Sequence, residues 1–233
     1  MLNLTVALNN RGILSLLSKN SDRLVQDFRR LIMIARERGL PLVECSAAKD
    51  LAEVQYLLGE AQAEEQVRRA IDVTRHVLGG RSRITLLAEL LLGRVLAHRG
   101  DTIAAARVVE GIRQAQAEAR AAGQTDSEFL ASEELFVEII GLMAAESDEK
   151  RWDEVLARAR GMTLQPQDLV EMMELQGLAL WRAGAVAHAE AVIQAAIEEA
   201  RKNAEIMLGR LDRSRAVLHT PPPGAASRAG QVA

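Results

Sequence analysis

The chain has 233 residues, 48% of them hydrophobic and 26% charged, with a formal net charge of −3. This balance fits a folded chain and excludes a disordered one. With aromatics at 3%, the core must come from Leu, Ala, Val and Ile, which favours close-packed helices over a β-sandwich.

The acidic balance, with no clustered basic face, argues against a nucleic-acid partner. No apolar run reaches the roughly 18 residues of a membrane span. The single cysteine, Cys45, excludes an intrachain disulfide and fits a reducing, cytoplasmic compartment. Arginine outnumbers lysine 25 to 4, which points to a GC-rich bacterial source.

Apolar periodicity predicts ten helices, at about 2–18, 21–38, 41–58, 60–78, 83–98, 101–121, 126–146, 150–160, 166–182 and 185–213. The first, "LNLTVALNNRGILSLL", is apolar on several faces. Asn9, Asn10 and Arg11 interrupt it and no positive region precedes it, so it is not a signal peptide. Leu2, Leu4, Val6, Ile13, Leu14, Leu16 and Leu17 cannot all face one neighbour, so an upstream region or a second copy is expected to cover this end.

Further along, Pro41 and Pro166 fall where helices should begin, at the position that tolerates a missing N–H. "TDSEF" offers Thr125 or Asp126 as a cap for the seventh helix. The long final helix reads as a charged C-terminal cap. The tail at 218–233, rich in Pro, Gly, Ala and Ser, is expected to be disordered, leaving residues 1–217 as one helical domain.

The same phrase recurs along the chain. A small residue is followed seven positions later by glycine: Ala52 and Gly59, Gly93 and Gly100, Gly177 and Gly184. After each glycine comes a triplet spaced by four and then three: Ala63, Val67, Ala70; Ala105, Val109, Ile112; Ala189, Ile193, Ala196. That spacing is one face of a helix. The small residue lets a neighbouring helix approach, and the glycine ends the first helix at φ > 0. Two weaker copies run from Gly12 through Asn20 to Leu24, Phe28 and Leu31, and around Met143 to Val155 and Ala159. Successive centres lie 40, 41, 50 and 34 residues apart, a period typical of stacked helical pairs.

In this pattern the chain resembles the tetratricopeptide repeat family. "NNRGILSLLSKNSDRLVQDFRRLIMIA" and "LQGLALWRAGAVAHAEAVIQAAIEEA" carry the resemblance best, and the 40-residue spacing is similar to the long-repeat variant of kinesin light chains and large bacterial signalling ATPases and transcriptional regulators. The resemblance implies an all-α, right-handed solenoid of about five helix–turn–helix repeats. It also implies that the first helix of each pair lines a concave groove. On that wall the expected partner-binding residues are Asn9, Lys49, Glu53, Tyr56, Arg94, His98, Glu174, Trp181 and Arg182. The mixture of apolar and oppositely charged side chains suits a peptide or protein segment. It does not match the basic and asparagine pattern by which some family members clamp a C-terminal carboxylate.

The search for chemistry is negative. His76, His98, His188 and His219 form no zinc-ligand spacing, and no phosphate loop, dinucleotide fingerprint or nucleophile elbow occurs. Cys45 reads as a lone structural thiol and Trp152 as a core residue; Trp181 reads as either a core packer or a binding hot spot. No cofactor or metal is expected. The leading expectation is a non-enzymatic protein-interaction module of bacterial signalling or transcriptional regulation. The alternative is a small-effector sensor domain from a larger regulator, and a deep pocket with converging polar groups would favour it. An enzyme or a passive spacer ranks below both.

Overall fold

A computed structural model describes residues 21–124, 127–145 and 149–222. The expected first helix, Asn9, the Gly12–Asn20 unit, the caps Thr125 and Asp126 and the tail from 223 onward lie outside the described residues. The described chain is all-helical. Ten α-helices run in order: α1 Ser21–Glu37, α2 Pro41–Leu57, α3 Ala63–Leu78, α4 Arg83–Arg99, α5 Thr102–Ala121, α6 Ala131–Ala144, α7 Glu149–Arg160, α8 Pro166–Arg182, α9 Val186–Asn203 and α10 Leu208–Leu218. A short 3₁₀ turn, Glu205–Met207, separates the last two, and no strand occurs among the described residues.

The helices fall into two kinds. Odd-numbered helices bury one stripe each: in α3 it is Ala63, Val67, Ala70, Ile71 and Thr74. Helices α4 and α8 are buried nearly all round over Leu90–Ala97 and Val170–Trp181, whereas α10 buries one stripe, Arg210, Leu211, Ser214 and Leu218. Every helix packs against the next in the chain. The even helices also meet each other, α2 against α4, α4 against α6, α6 against α8 and α8 against α10. They therefore form an inner layer, and the odd helices pack outside it.

Local chemistry explains the boundaries. Pro41 and Pro166 open α2 and α8. The Ser82 hydroxyl accepts the Thr85 N–H at 3.2 Å, and the Asp101 carboxylate accepts that of Ala104 at 3.1 Å, capping α4 and α5. The turns after α2, α4 and α8 place Gly59, Gly100 and Gly184 at φ 68°, 93° and 89°. All three recurring triplets lie inside, with Val67, Ala105, Ile112, Ala189, Ile193 and Ala196 fully buried. Trp152 is likewise fully buried.

Two boundaries differ from expectation. α6 begins at Ala131 rather than near 126, because the Glu133 side chain accepts the Leu130 N–H at 2.7 Å and caps the helix there. The expected single helix 185–213 breaks at Ala204, whose φ and ψ are −145° and 49°. The break turns Ala204, Met207 and Leu211 into the core and brings α10 back against α8. Leu218 is helical and buried, so the ordered chain extends past the expected limit at 217.

The small residues behave as spacers. A Cβ on Gly177 would lie 2.7 Å from both Cδ1 and Cγ1 of the buried Ile193, whereas one on the exposed Gly111 would meet nothing within 4 Å. Gly177→Ala should destabilise the fold by about 1 kcal/mol, overpacking outweighing the helix-propensity gain. Gly111→Ala, in mid-helix, should stabilise it by about 0.5–1 kcal/mol. Chemical denaturation of the two variants checks the opposite signs.

Candidate functional site

The inner faces of α2, α4, α8 and α10 converge on a buried ionic network. From α4, Arg94 is 4% exposed. Its Nε donates to Glu171 Oε1 at 2.9 Å, its Nη2 to Glu171 Oε2, and its Nη1 to Glu53 Oε1 at 3.0 Å. The Tyr56 hydroxyl donates to the same Glu171 Oε1 at 3.0 Å. Lys49 Nζ, one turn before Glu53, donates to Glu53 Oε2 at 3.0 Å.

A second cluster adjoins the first. Glu174 is fully buried; its Oε2 accepts Arg210 Nε at 2.8 Å as well as Nη2, and its Oε1 accepts the Ser214 hydroxyl at 2.6 Å. His98 Nε2 lies 3.2 Å from Glu174 Oε1. Aromatic faces complete the cage. The Arg210 guanidinium sits 4.3 Å from the Tyr56 ring centre and that of Arg94 sits 4.2 Å from Phe136, whose helix is α6. The His98 ring meets Tyr56 edge-on.

These surroundings move the ionisation equilibria. Burial alone would raise the Glu174 carboxyl, but Arg210 and His98 hold it down at about 2. Burial alone would lower Arg94, but Glu171 and Glu53 carry it well above its ordinary value. Burial pushes the Tyr56 phenol well up, so it stays a donor.

The expected groove residues therefore divide. Glu53, Tyr56, Arg94, His98 and Glu174 come together, with Lys49 at one edge, but they bond to one another rather than facing an open wall. Their charges match across helices, so the wall closes on itself. Trp181 is 7% exposed, and its Nε1–H donates to the Thr220 carbonyl at 3.2 Å, so it packs under the segment that follows α10. Arg182 is half-buried beside α4. The reading from sequence missed Glu171, Arg210, Ser214 and Arg213. Glu171 lies three positions before Glu174 on the same helical face, a signal present in the sequence. The other three lie beyond the break at Ala204, on a helix expected to run on straight.

What the network leaves open is a cleft of about 800 Å³ between the C-terminal ends of α2, α4 and α8 and the side of α10. Tyr56, Val95, Leu178, Trp181 and Val217 supply apolar surface, and His98, Arg99, Arg182, Arg210 and Arg213 supply polar heads. Arg182 donates from Nη2 to the His98 carbonyl at 2.9 Å and from Nη1 to that of Ala97 at 3.3 Å. Arg213 Nη2 donates to the carbonyls of Leu58 and Gly59 at 2.8 and 3.0 Å. Arg182 thus satisfies the last carbonyls of α4, and Arg213 those of the turn that follows α2. Burial pushes the Arg182 guanidinium down.

Away from this region, Cys45 is fully buried and its thiol is pushed up, first by burial and then by Glu44, which disfavours the thiolate. No cluster of metal-ligating side chains occurs among the described residues. None of the described helices is long and apolar enough to cross a membrane. Comparison with family models, curated proteins and solved structures finds no match to the chain.

Two outcomes follow from the network. Arg94→Met strands two buried carboxylates and should cost about 3–5 kcal/mol, while the double variant Arg94→Met/Glu171→Met should recover part of that loss in a denaturation cycle. For acid stability the sign is set by Glu174, whose folded-state value of about 2 lies below its ordinary 4.5. Its contribution is complete above pH 4.5 and is lost as pH falls from there towards 2. Glu174→Gln should flatten that part of the stability-versus-pH curve, measured by urea unfolding at stepped pH.

Proposed function

We propose that the chain is a non-catalytic helical-repeat module of the tetratricopeptide type, a right-handed solenoid of about five helical pairs, that senses a small effector in the cleft beneath α10. The alternating contacts of the even helices, the glycine turns and the small-residue spacers support the repeat assignment. The observation that carries the functional reading is the division of the inner surface. Its central charges satisfy each other, and beside them opens a concave cleft of about 800 Å³ with an apolar wall and converging polar heads. Small-molecule sites typically measure about 300–1,000 Å³ and combine those two features.

A protein or peptide partner is the second reading. It draws on a shallower hollow of about 290 Å³ at the opposite ends of α2, α4 and α6, lined by Lys49, Asp50, Arg83, Ile84, Leu130 and Glu133. Leu130 there is 62% exposed, an apolar anchor beside charges of both signs.

A thermal-shift screen of small metabolites against the full chain, followed by tryptophan fluorescence, separates the two. Trp181 lines the cleft, while Trp152 in the core provides an unchanging background. Hits should change the emission, and Val217→Trp, which fills the cleft from a partly exposed position on α10, should abolish their binding. Hits that survive Val217→Trp would rule out the cleft. A captured protein partner lost on Leu130→Asp but retained on Val217→Trp would favour the second reading.

A further inference from the structure

We infer that the effector is an anion carried on an apolar body, a carboxylate or phosphate monoester with a short hydrocarbon part, and that Arg182 and Arg213 receive its charged group. This rests on the cleft being the binding site.

The chain as a whole carries −3, yet the cleft is lined by four arginines against two glutamates. Arg99 is paired with Glu64, and Arg210 with the buried Glu174. Glu60 accepts the Gln55 side-chain amide at 2.7 Å. Among the described residues Arg182 and Arg213 bond to carbonyl oxygens and to no carboxylate. Gln55 is neutral, so Glu60 keeps its charge, and Arg182 and Arg213 set against Glu60 leave the cleft a net positive charge.

Each of the two guanidiniums lies over the glycine that ends an inner helix. A Cβ on Gly100 would lie 3.1 Å from Arg182 Nη2, and one on Gly59 would lie 1.8 Å from Arg213 Nη2. The recurring glycine thus serves twice, once for its positive φ and once for the room it leaves. Successive repeats seat an arginine at the same step, from α8 over the turn after α4 and from α10 over the turn after α2. The partial negative charge at a helix C-terminus, about half an electron, holds each arginine there without an anion. It leaves donors free: Arg213 uses only Nη2 on its carbonyls, so its Nη1 hydrogens remain for an oxyanion.

Val95, Leu178, Trp181 and Val217 line the same space and offer an apolar bed next to the cationic rim. The charge of Arg182 is disfavoured by burial and no carboxylate offsets it, so an incoming anion supplies the missing counter-charge.

Calorimetric titration of the full chain with octanoate, octyl phosphate and octanol tests the inference. At least one of the two anions should bind about tenfold or more tightly than the neutral alcohol, as expected for hydrogen bonds to a charged group. The stronger of the two identifies the headgroup. Arg182→Gln and Arg213→Gln should each weaken that anion about tenfold, and Arg182→Lys and Arg213→Lys should restore part of the loss. Should a variant fail to fold, the unmodified chain still decides: added salt should weaken the anion and leave octanol unaffected. Equal affinity for the anions and octanol, or anion binding indifferent to both glutamine variants and to salt, overturns the inference and leaves the cleft standing as a site for neutral ligands. Failure of all three probes to bind overturns the inference and the effector reading together.

Discussion

The constraint on which the rest of the structure depends is the bidentate pairing of Arg94 with Glu171, shared with Glu53 and Tyr56. It ties α4 to α8 and α2 across 77 and 41 residues of chain. Taking these charges out of water is costly, and only close geometry with every oxygen engaged offsets that cost. Both Glu171 oxygens and all three donor nitrogens used by Arg94 have partners at hydrogen-bond distance. The aromatic faces of Tyr56 and Phe136 supply further contact for the guanidiniums.

An ionic cluster selects one packing where apolar surfaces would accept several. A buried carboxylate has an acceptable partner in one register only. The second cluster, Glu174 with Arg210, Ser214 and His98, extends the same restriction to α10. Helix α10 can reach it because the chain breaks at Ala204 and turns back. The C-terminal helix is thereby an inner element, and its Arg213 reaches the end of α2, 155 residues earlier.

Closure of the inner wall moves the free surface elsewhere. Glu53, Arg94 and Glu174 engage their polar atoms within the inner layer itself. The accessible polar groups are those at the helix ends, where carbonyls lack intrahelical partners and arginines gather to satisfy them. The cleft forms there because the turns after α2 and α4 end in glycine and leave room beside the guanidiniums. The all-helical core and the concave cleft are thus consequences of the same short turns.

Much of this was legible in the sequence. The helix limits follow from proline, glycine and serine chemistry that acts over four residues, and the core faces follow from the four-and-three spacing of Val67, Ile112 and Ile193. The small residues at 52, 93 and 177 announced close helix contacts, and Tyr56, Arg94, His98 and Glu174 were recognisable as inner-face residues from their spacing to those positions. The sequence could not say what these residues would meet. Facing direction is a local property of a helix, whereas the partner of a charge depends on where other helices arrive. The packing that brings α2, α4, α8 and α10 within bonding distance, and the bend at Ala204 that adds Arg210 and Arg213, depend on contacts between distant helices. Periodicity along the chain therefore determined the elements and their buried faces. Only the tertiary structure decided that the inner charges would pair with each other and leave the cleft at the helix ends, because Coulomb attraction and desolvation act through space rather than along the sequence.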